Sequence, residues 1–182
     1  DTTDAAVAAA ALEAGADIVN DISAFRFDDD MLGVIAKAKC PAIAMHTLAS
    51  PETMQDAPTY SDVVAEVSVH LRERVEAAVG AGVERSQLLV DPGIGFGKLL
   101  RHNLALLRGL DSLHPMGLGV VVGTSRKRFL GEVTGRPVEE RDPASAAAAA
   151  LSIAYGADWV RVHDVLGCRD AVAVAGALMS AS

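Results

Sequence analysis

Aromatic residues are scarce in this sequence: they make up 4% of its 182 residues, and tryptophan occurs once. Cysteine occurs twice, at Cys40 and Cys168, without a C-x-x-C pair, which favours free thiols over a disulfide framework. No apolar run approaches the roughly 20 residues that a membrane-spanning helix needs. Basic residues are outnumbered by acidic ones, 16 to 24, and binding to nucleic acid needs a concentrated basic face. We therefore predict a protein that binds neither membranes nor nucleic acid.

The remaining composition is that of a folded domain. Apolar residues make up 51% of the sequence and charged residues 22%, and no linker rich in proline, glycine or serine divides it. We expect a single domain over residues 1–182. The sequence starts at Asp1 without a methionine, so we expect further residues to precede it in the natural protein.

Short β-branched runs alternate with longer helical stretches along the whole chain. The runs are continuously apolar, which is typical of parallel strands covered by helices. Periodicity alone fits both an open doubly wound sheet and an incomplete eight-stranded barrel. The predicted strands are ADIVND (16–21), CPAIAMH (40–46), QLLVD (87–91), LGVVVG (118–123) and DWVRVH (158–163).

Polar side chains gather at the ends of all these runs, where parallel α/β proteins keep their reactive groups. One such Asp or Asn is commonly a helix N-cap, but that explanation is weak for a whole set. Acceptors suit a flat heterocycle rich in N–H donors, and cations suit a phosphate or pyrophosphate. The set comprises Asn20, Asp21, His46, Asp91, Gly123, Thr124, Ser125, Arg126, Lys127, Arg161, His163 and Asp164.

The segment DPGIGFGK (91–98) matches neither common nucleotide-binding loop. A Walker loop needs wider glycine spacing and a Ser or Thr after the lysine, where this chain has Leu99. The third glycine also comes one residue too early for a dinucleotide fingerprint. We expect the glycines to bring the loop backbone close to a ligand, with Phe96 as an apolar wall and Lys98 solvated.

The histidines show no metal-ligand spacing with carboxylates or cysteines, so we expect no metal site within this chain. His46 follows a strand, and we expect it to hydrogen-bond locally. His70, His102 and His114 lie in predicted helices or turns, and we expect them at the surface.

Five segments in order, DIVNDISA, MHTLASPETMQ, DPGIGFGK, GTSRKRFLG and WVRVHDV, resemble the dihydropteroate synthase family over nearly the whole chain. Family members are α/β proteins with the (β/α)8 TIM barrel fold, so the resemblance favours a barrel, here incomplete with about five full parallel strands. It implies a transferase of folate biosynthesis that joins 6-hydroxymethyl-7,8-dihydropterin pyrophosphate to p-aminobenzoate, giving dihydropteroate and pyrophosphate. The start, DTTDAAVAAAALEAGA, resembles the end of the family's third strand. This chain would then be the C-terminal two-thirds of the enzyme, and inactive alone.

The resemblance implies roles around the pterin. Asn20 and Asp91 would hydrogen-bond its amino-pyrimidine edge, and Lys127 would contact the ring. Asp1 would face the positive charge that develops on the pterin methylene.

The resemblance also implies roles around the pyrophosphate and the aminobenzoate. Arg161 and His163 would hold the departing pyrophosphate, and Phe96 and Ser125 would border the aminobenzoate, with Gly123 among the substrate-binding positions. Asp1, Lys127, Arg161 and His163 are the implied catalytic residues. Fixed cations would stabilise the leaving group, so no protein nucleophile is needed.

Further properties follow from the resemblance alone. They are Mg²⁺ bound through an asparagine in the absent N-terminal part, a homodimer through the late helices, a cytoplasmic location and membership of a family that sulfonamides target. Two alternatives stay open: a corrinoid-linked pterin-binding methyltransferase and a non-catalytic pterin-binding paralogue. SRKRFLG and RVHDV weigh against methyl transfer, which has no pyrophosphate to release. Thr47 and Ala49 depart from the family's loop pattern and keep the paralogue open.

Overall fold

A computed structural model of the chain describes residues 1–50, 52–54, 56 and 58–181. Within these residues, five parallel strands form one sheet in the order of the sequence, which confirms the predicted strands. They are β1 (Val19–Asp21), β2 (Ala42–Met45), β3 (Leu88–Asp91), β4 (Gly119–Gly123) and β5 (Trp159–Arg161). The helices are α1 (Ala5–Glu13), α2 (Met31–Ala38), α3 (Val63–Gly80), α4 (Leu100–Arg108), α5 (Arg128–Thr134), α6 (Asp142–Ala154) and α7 (Val165–Ser180).

Local sequence explains most of these elements. The α3 helix starts at Asp62, whose carboxylate accepts hydrogen bonds from the N–H groups of Val64 and Ala65. Its buried side chains recur every three or four residues, the period of an α-helix, and face the core. The short α5 helix is absent from the sequence-based prediction, because its seven residues are too few to show a period.

Glycines end three of the crossover helices and turn the chain back toward the sheet. Gly15, Gly82 and Gly156, which precede β1, β3 and β5, all have positive φ, between 97° and 106°. The helix-to-strand turns are therefore set locally by these residues.

The core lies between the outer face of the sheet and the helices. Ala44, Val90 and Val120 of the strands are fully buried there, together with Val67 and Leu71 of α3. No helix among the described residues is long and apolar enough to cross a bilayer.

The opposite, concave face of the sheet is more open. Ile18 is 47% exposed and Trp159 is 61% exposed, and both border a groove that runs across the middle of the sheet. The sheet is curved, so that Arg161 at the end of β5 reaches across this face to Asn20 of β1. The architecture is a half-barrel, which favours the barrel over the open sheet.

Candidate functional site

The carboxyl ends of three strands meet through the side chain of Arg161. Its Nη2 donates a hydrogen bond of 3.0 Å to Asp91 Oδ2, and its Nη1 donates one of 3.3 Å to Asn20 Oδ1. Asp91 is 1% exposed, whereas the Arg161 side chain is 41% exposed and opens to solvent. Gly123 is paired with Arg161 in the sheet register, and a Cβ there would lie 3.1 Å from Nη2. Glycine at this position leaves room for the guanidinium.

The other atoms of Asp91 and Asn20 differ in their partners. Asp91 Oδ1 accepts a 2.7 Å hydrogen bond from the N–H of Gly93. The hydrogen bond from Arg161 to Asn20 Oδ1 fixes the orientation of the Asn20 amide. The amide Nδ2 is then a buried donor with no partner among the described residues. The site therefore offers a carboxylate acceptor and an unused amide donor to one edge of a ligand.

The glycines of DPGIGFGK allow close packing between this loop and its neighbours. Gly93 has φ of 69°, and a Cβ on it would overlap the carbonyl oxygen of His46. A Cβ on Gly95 would lie 3.1 Å from Cδ of Lys127. These glycines let the loop fit between the end of β2 and the Lys127 side chain, and their approach to a ligand stays a prediction.

Lys98 is buried, with 5% of its surface exposed, so the prediction of a solvated residue is wrong. Its Nζ donates to the carbonyl oxygen of Phe96 at 2.9 Å and lies 3.0 Å from His46 Nδ1. Burial lowers the pKa of Lys98 to about 7, although the nearby charge of Asp91 opposes this shift. Lys98 is buried because its Nζ hydrogen-bonds a carbonyl oxygen of its own loop, that of Phe96, in the interior.

His46 accepts this hydrogen bond from Lys98, 52 positions away in the chain, so the expectation of a local partner is wrong. Burial, followed by the charge of Lys98, lowers the pKa of His46 to about 2, so the ring is neutral and accepts at Nδ1. His102 is buried against the ring of Tyr60, and the prediction of a surface position for it is wrong. His70 is half-buried with its ring 4.9 Å from that of His46, while His114 is exposed.

Lys127 extends toward the same loop. Its Nζ donates to the carbonyl oxygen of Ile94 and lies 4.7 Å from the centre of the Phe96 ring, a cation–π contact. Burial lowers the pKa of Lys127 to about 8, with Asp91 opposing and Arg161 adding to the shift. Phe96 is half-buried and borders a cavity of about 920 Å³ together with Lys127.

Ser125 and His163, which follow β4 and β5, are hydrogen-bonded to each other. The Ser125 hydroxyl accepts the backbone N–H of His163 at 3.2 Å and lies 2.8 Å from His163 Nδ1. In the tautomer with the ring proton on Nε2, His163 Nδ1 accepts the hydrogen bond from the Ser125 hydroxyl. His163 is exposed, so in this tautomer its Nε2–H is available to a ligand.

Asp1 is the candidate residue least engaged with the others. It is exposed, and the neighbouring Thr2 donates its N–H to the carbonyl oxygen of Asn20 at 3.0 Å, which holds this segment beside the end of β1. Within the part of the chain that the structure describes, no group of three His, Cys, Asp or Glu side chains is placed to hold a metal ion.

Sequence reasoning missed several residues that shape the site. Asn103 of α4 accepts the Gly95 N–H at 2.7 Å through Oδ1, and Tyr60 donates to the Gly97 carbonyl oxygen at 3.1 Å. Asn103 shares one face of α4 with the buried Leu106, and a polar residue at an apolar position of the helical pattern was the available signal in the sequence. In the altered loop, Thr47 is buried and donates to Ala49 O at 2.9 Å. Positions 51 and 55 of the MHTLASPETMQ segment lie outside the described residues.

Comparison with known proteins matches residues 1–163 to the family of pterin binding enzymes. The chain is 46% identical to the dihydropteroate synthase of Mycobacterium leprae, covering 100% of this chain and 66% of the relative. It is 44% identical to that of Synechocystis, covering 98% and 62%. The chain thus spans a little less than two thirds of these curated relatives.

Solved structures give the same result for the fold. The dihydropteroate synthase of Yersinia pestis in complex with a sulfonamide drug superposes with a TM-score of 0.96 at 37% identity, covering 100% of this chain and 66% of that one. The Xanthomonas albilineans enzyme in complex with 7,8-dihydropteroate gives 0.91 at 42% identity, also covering 100% and 66%. These matches confirm the predicted incomplete barrel.

Proposed function

Because this chain belongs to the family of pterin-binding enzymes, we propose that it carries the substrate site of a dihydropteroate synthase. The reaction joins 6-hydroxymethyl-7,8-dihydropterin pyrophosphate to p-aminobenzoate and releases pyrophosphate. One observation carries the proposal: Asp91 and Asn20, which suit a pterin edge, meet the cation Arg161, which suits a pyrophosphate, at a single opening.

The pterin is proposed to bind across Asp91 and Asn20. The buried carboxylate accepts from the 2-amino and N3–H groups, which are adjacent donors on the ring. The unused Asn20 Nδ2 donates to a ring acceptor and so gains the partner it lacks. Asp1, held beside β1 through Thr2, is proposed to face the pterin methylene.

The pyrophosphate is proposed to bind the cationic and N–H donor groups of the site. When the pterin takes Asp91 as its acceptor, the half-exposed Arg161 guanidinium turns to the phosphate oxygens. The His163 Nε2–H and the Lys127 ammonium donate to the same group. These charges stabilise the pyrophosphate as the bond between the methylene carbon and its oxygen breaks.

The aminobenzoate is proposed to lie against Phe96 and Lys127, next to Ser125. The cavity of about 920 Å³ at Phe96 and Lys127 accommodates a benzoate ring. The Xanthomonas albilineans relative has been solved with 4-aminobenzoic acid and the Yersinia pestis relative with a sulfonamide drug, and we propose that this chain takes both ligand types. The aryl amine attacks the methylene carbon and loses a proton, which completes the substitution.

The family resemblance implies Mg²⁺, but the described residues of this chain provide no group that fits the ion. No step above passes through the metal. The ligand asparagine implied by the resemblance has no counterpart among these residues.

We also propose that the protein forms a homodimer in the cytoplasm. Support for the dimer comes from apolar side chains that α6 and α7 turn to solvent, among them Leu151, Val174 and Leu178. Light scattering after size-exclusion chromatography of the full-length protein measures this directly, and a monomeric mass contradicts it.

Titration of the chain with 6-hydroxymethylpterin tests the pterin site without requiring turnover. We expect saturable binding that Asp91→Asn weakens by roughly a hundredfold, since a charged hydrogen-bond acceptor is lost. Asp17→Asn, at the exposed amino end of β1, serves as the matched control and keeps wild-type affinity.

Turnover of the full-length protein then separates a synthase from a non-catalytic paralogue. Release of pyrophosphate that depends on p-aminobenzoate supports the synthase. Pterin binding without turnover indicates the paralogue, and equal affinities for wild type and Asp91→Asn contradict the proposed site.

A further inference from the structure

The residue between Ser125 and Lys127 has a backbone conformation that L-amino acids rarely adopt. Arg126 has φ of 58°, in the left-handed region. Such a conformation costs free energy in a residue with a Cβ and persists only where its surroundings hold it. Both neighbours of Arg126 are proposed substrate-binding residues, so the strain lies inside the site.

Residues at the start of α6 bind the guanidinium, the backbone N–H and the backbone carbonyl of Arg126. The guanidinium forms a two-pronged ion pair with Asp142, with Nε 2.7 Å from Oδ1 and Nη2 2.8 Å from Oδ2. The backbone N–H donates to Ser145 Oγ at 2.9 Å, and the carbonyl oxygen accepts from Arg141 Nη1 at 3.1 Å. This planar pairing fixes orientation as well as distance.

The direction of two side chains depends on this turn. Ser125 Oγ lies 2.8 Å from His163 Nδ1, and Lys127 Nζ lies over the Phe96 ring. If residue 126 changed to a negative φ, the chain on its two sides would point differently, and these contacts would separate. The geometry of the aminobenzoate side of the site is therefore tied to the conformation of one residue.

We propose that Asp142 is a positioning residue: through Arg126 it holds the loop after β4 in the left-handed turn that presents Ser125 and Lys127 to the substrates. The proposal rests on the function proposed above. Asp142 touches no substrate itself, and its carboxylate acts from the first turn of α6. The pterin side, at Asp91 and Asn20, lies on other strands and does not depend on this turn.

Glycine provides a direct test, because it adopts a positive φ without a clamp. In the full-length protein, Asp142→Ala is expected to lower kcat/KM for p-aminobenzoate roughly tenfold, since misplaced binding groups lose effective concentration. The double variant Asp142→Ala with Arg126→Gly is expected to recover most of that loss. A role of Asp142 in helix stability alone predicts no recovery, because the glycine restores nothing in α6.

A matched pair at position 126 repeats the test without touching Asp142. Arg126→Ala loses the ion pair while keeping a Cβ that disfavours positive φ, and is expected to resemble Asp142→Ala. Arg126→Gly also loses the ion pair but adopts positive φ readily, and is expected to be impaired less than Arg126→Ala. Asp142→Asn is the milder substitute if Asp142→Ala does not fold, and Asp170→Ala, in an exposed ion pair on α7, is the control.

Two measurements besides turnover make the outcome decisive. Affinity for 6-hydroxymethylpterin, whose proposed acceptors Asp91 and Asn20 lie on other strands, is expected to fall less than affinity for p-aminobenzoate in Asp142→Ala and Arg126→Ala, whereas global damage weakens both alike. The φ of residue 126, read from NMR scalar couplings, is expected to be positive in wild type, negative in Asp142→Ala and positive again in the double variant.

Two results overturn the proposal: equal impairment of Arg126→Ala and Arg126→Gly, or a φ that stays positive in Asp142→Ala. If the wild type does not turn over, the proposed function fails, and the NMR comparison still decides whether Asp142 holds the turn.

Discussion

The guanidinium of Arg161 lies 3.0 Å from the carboxylate of Asp91, so the cation proposed for the pyrophosphate already pairs with the acceptor proposed for the pterin. A pterin that uses Asp91 Oδ2 must displace this contact. Binding of the ring therefore releases a positive charge at the place where the pyrophosphate arrives. The two halves of the substrate are coupled through one ion pair.

This coupling predicts that Arg161→Met separates the affinities for two ligands. We expect binding of the pterin pyrophosphate to weaken about tenfold to a hundredfold, because a charge-assisted contact is lost. Binding of 6-hydroxymethylpterin, which has no pyrophosphate, is expected to be no weaker than in wild type. Calorimetric titration with both ligands measures the difference, with Arg169→Met on the exposed face of α7 as control. Equal weakening of both ligands contradicts the coupling and assigns Arg161 to support of Asp91.

The tight contact at Gly93 predicts that adding one methyl group there strongly lowers the free energy of unfolding. Gly93→Ala places a Cβ against the carbonyl oxygen of His46 at a φ of 69°, and we expect it to lower the free energy of unfolding by about 3 kcal/mol. Gly33→Ala in α2, where a Cβ meets nothing within 4 Å, is expected to raise it by about 0.5 kcal/mol. Urea denaturation of both variants checks the contrast. Similar effects of the two substitutions would show that the loop relaxes away from His46.

Burial of Lys98 predicts a pH dependence of stability. Its pKa is lowered from 10.5 to about 7, so above pH 7 the folded chain binds fewer protons than the unfolded chain. The free energy of unfolding from this group therefore rises with pH from about 7 to about 10, and the cost of the buried charge is greatest below that window.

Lys98→Met removes this rise. The difference in unfolding free energy between wild type and Lys98→Met is expected to grow in favour of wild type between about pH 7 and about pH 9.5. Lys37→Met, on an exposed position of α2, is expected to run parallel to wild type. A constant difference across the window would mean that Lys98 titrates near its ordinary pKa.

The open concave face predicts the behaviour of the single tryptophan. Trp159 is 61% exposed beside Ile18, so we expect its fluorescence in this chain to be readily quenched by acrylamide. The same face is expected to bind the dye ANS and to make the isolated chain prone to aggregation. Ile18→Ser is expected to reduce dye binding, and Leu166→Ser on exposed α7 to change it less. A shielded tryptophan and no dye binding would mean that the groove is covered in solution.

The fold can be predicted from the sequence more completely than the buried contacts of the site. Strands such as LGVVVG and helix ends such as Gly82 are specified by local residues, and they lie where the patterns predict. The polar strand ends at Asn20, Asp91 and Arg161 also meet, because parallel strands align their carboxyl ends.

Interactions between loops were not predictable in the same way. Lys98 lies in a glycine-rich loop with a surface-like composition, and only the position of His46 on a different strand explains why it is buried. His102 faces Tyr60 across a similar gap in sequence. The strain at Arg126 depends on α6, which begins 16 residues later. Contacts of this kind leave no period in the sequence.

The sequential strand order has a consequence for how the protein is made. Each strand of the described sheet pairs with the one before it, so the sheet can grow in the direction of synthesis with modest loop-closure entropy at every step. The site does not share this property, since the Asn20–Arg161 contact joins residues 141 positions apart. A nascent chain stalled before β5 would already have most of its core but no closed ligand site. The proposed ligand site is thus the last feature to be completed as the chain leaves the ribosome, and a ligand that needs this closed site is not expected to guide the assembly of the earlier strands.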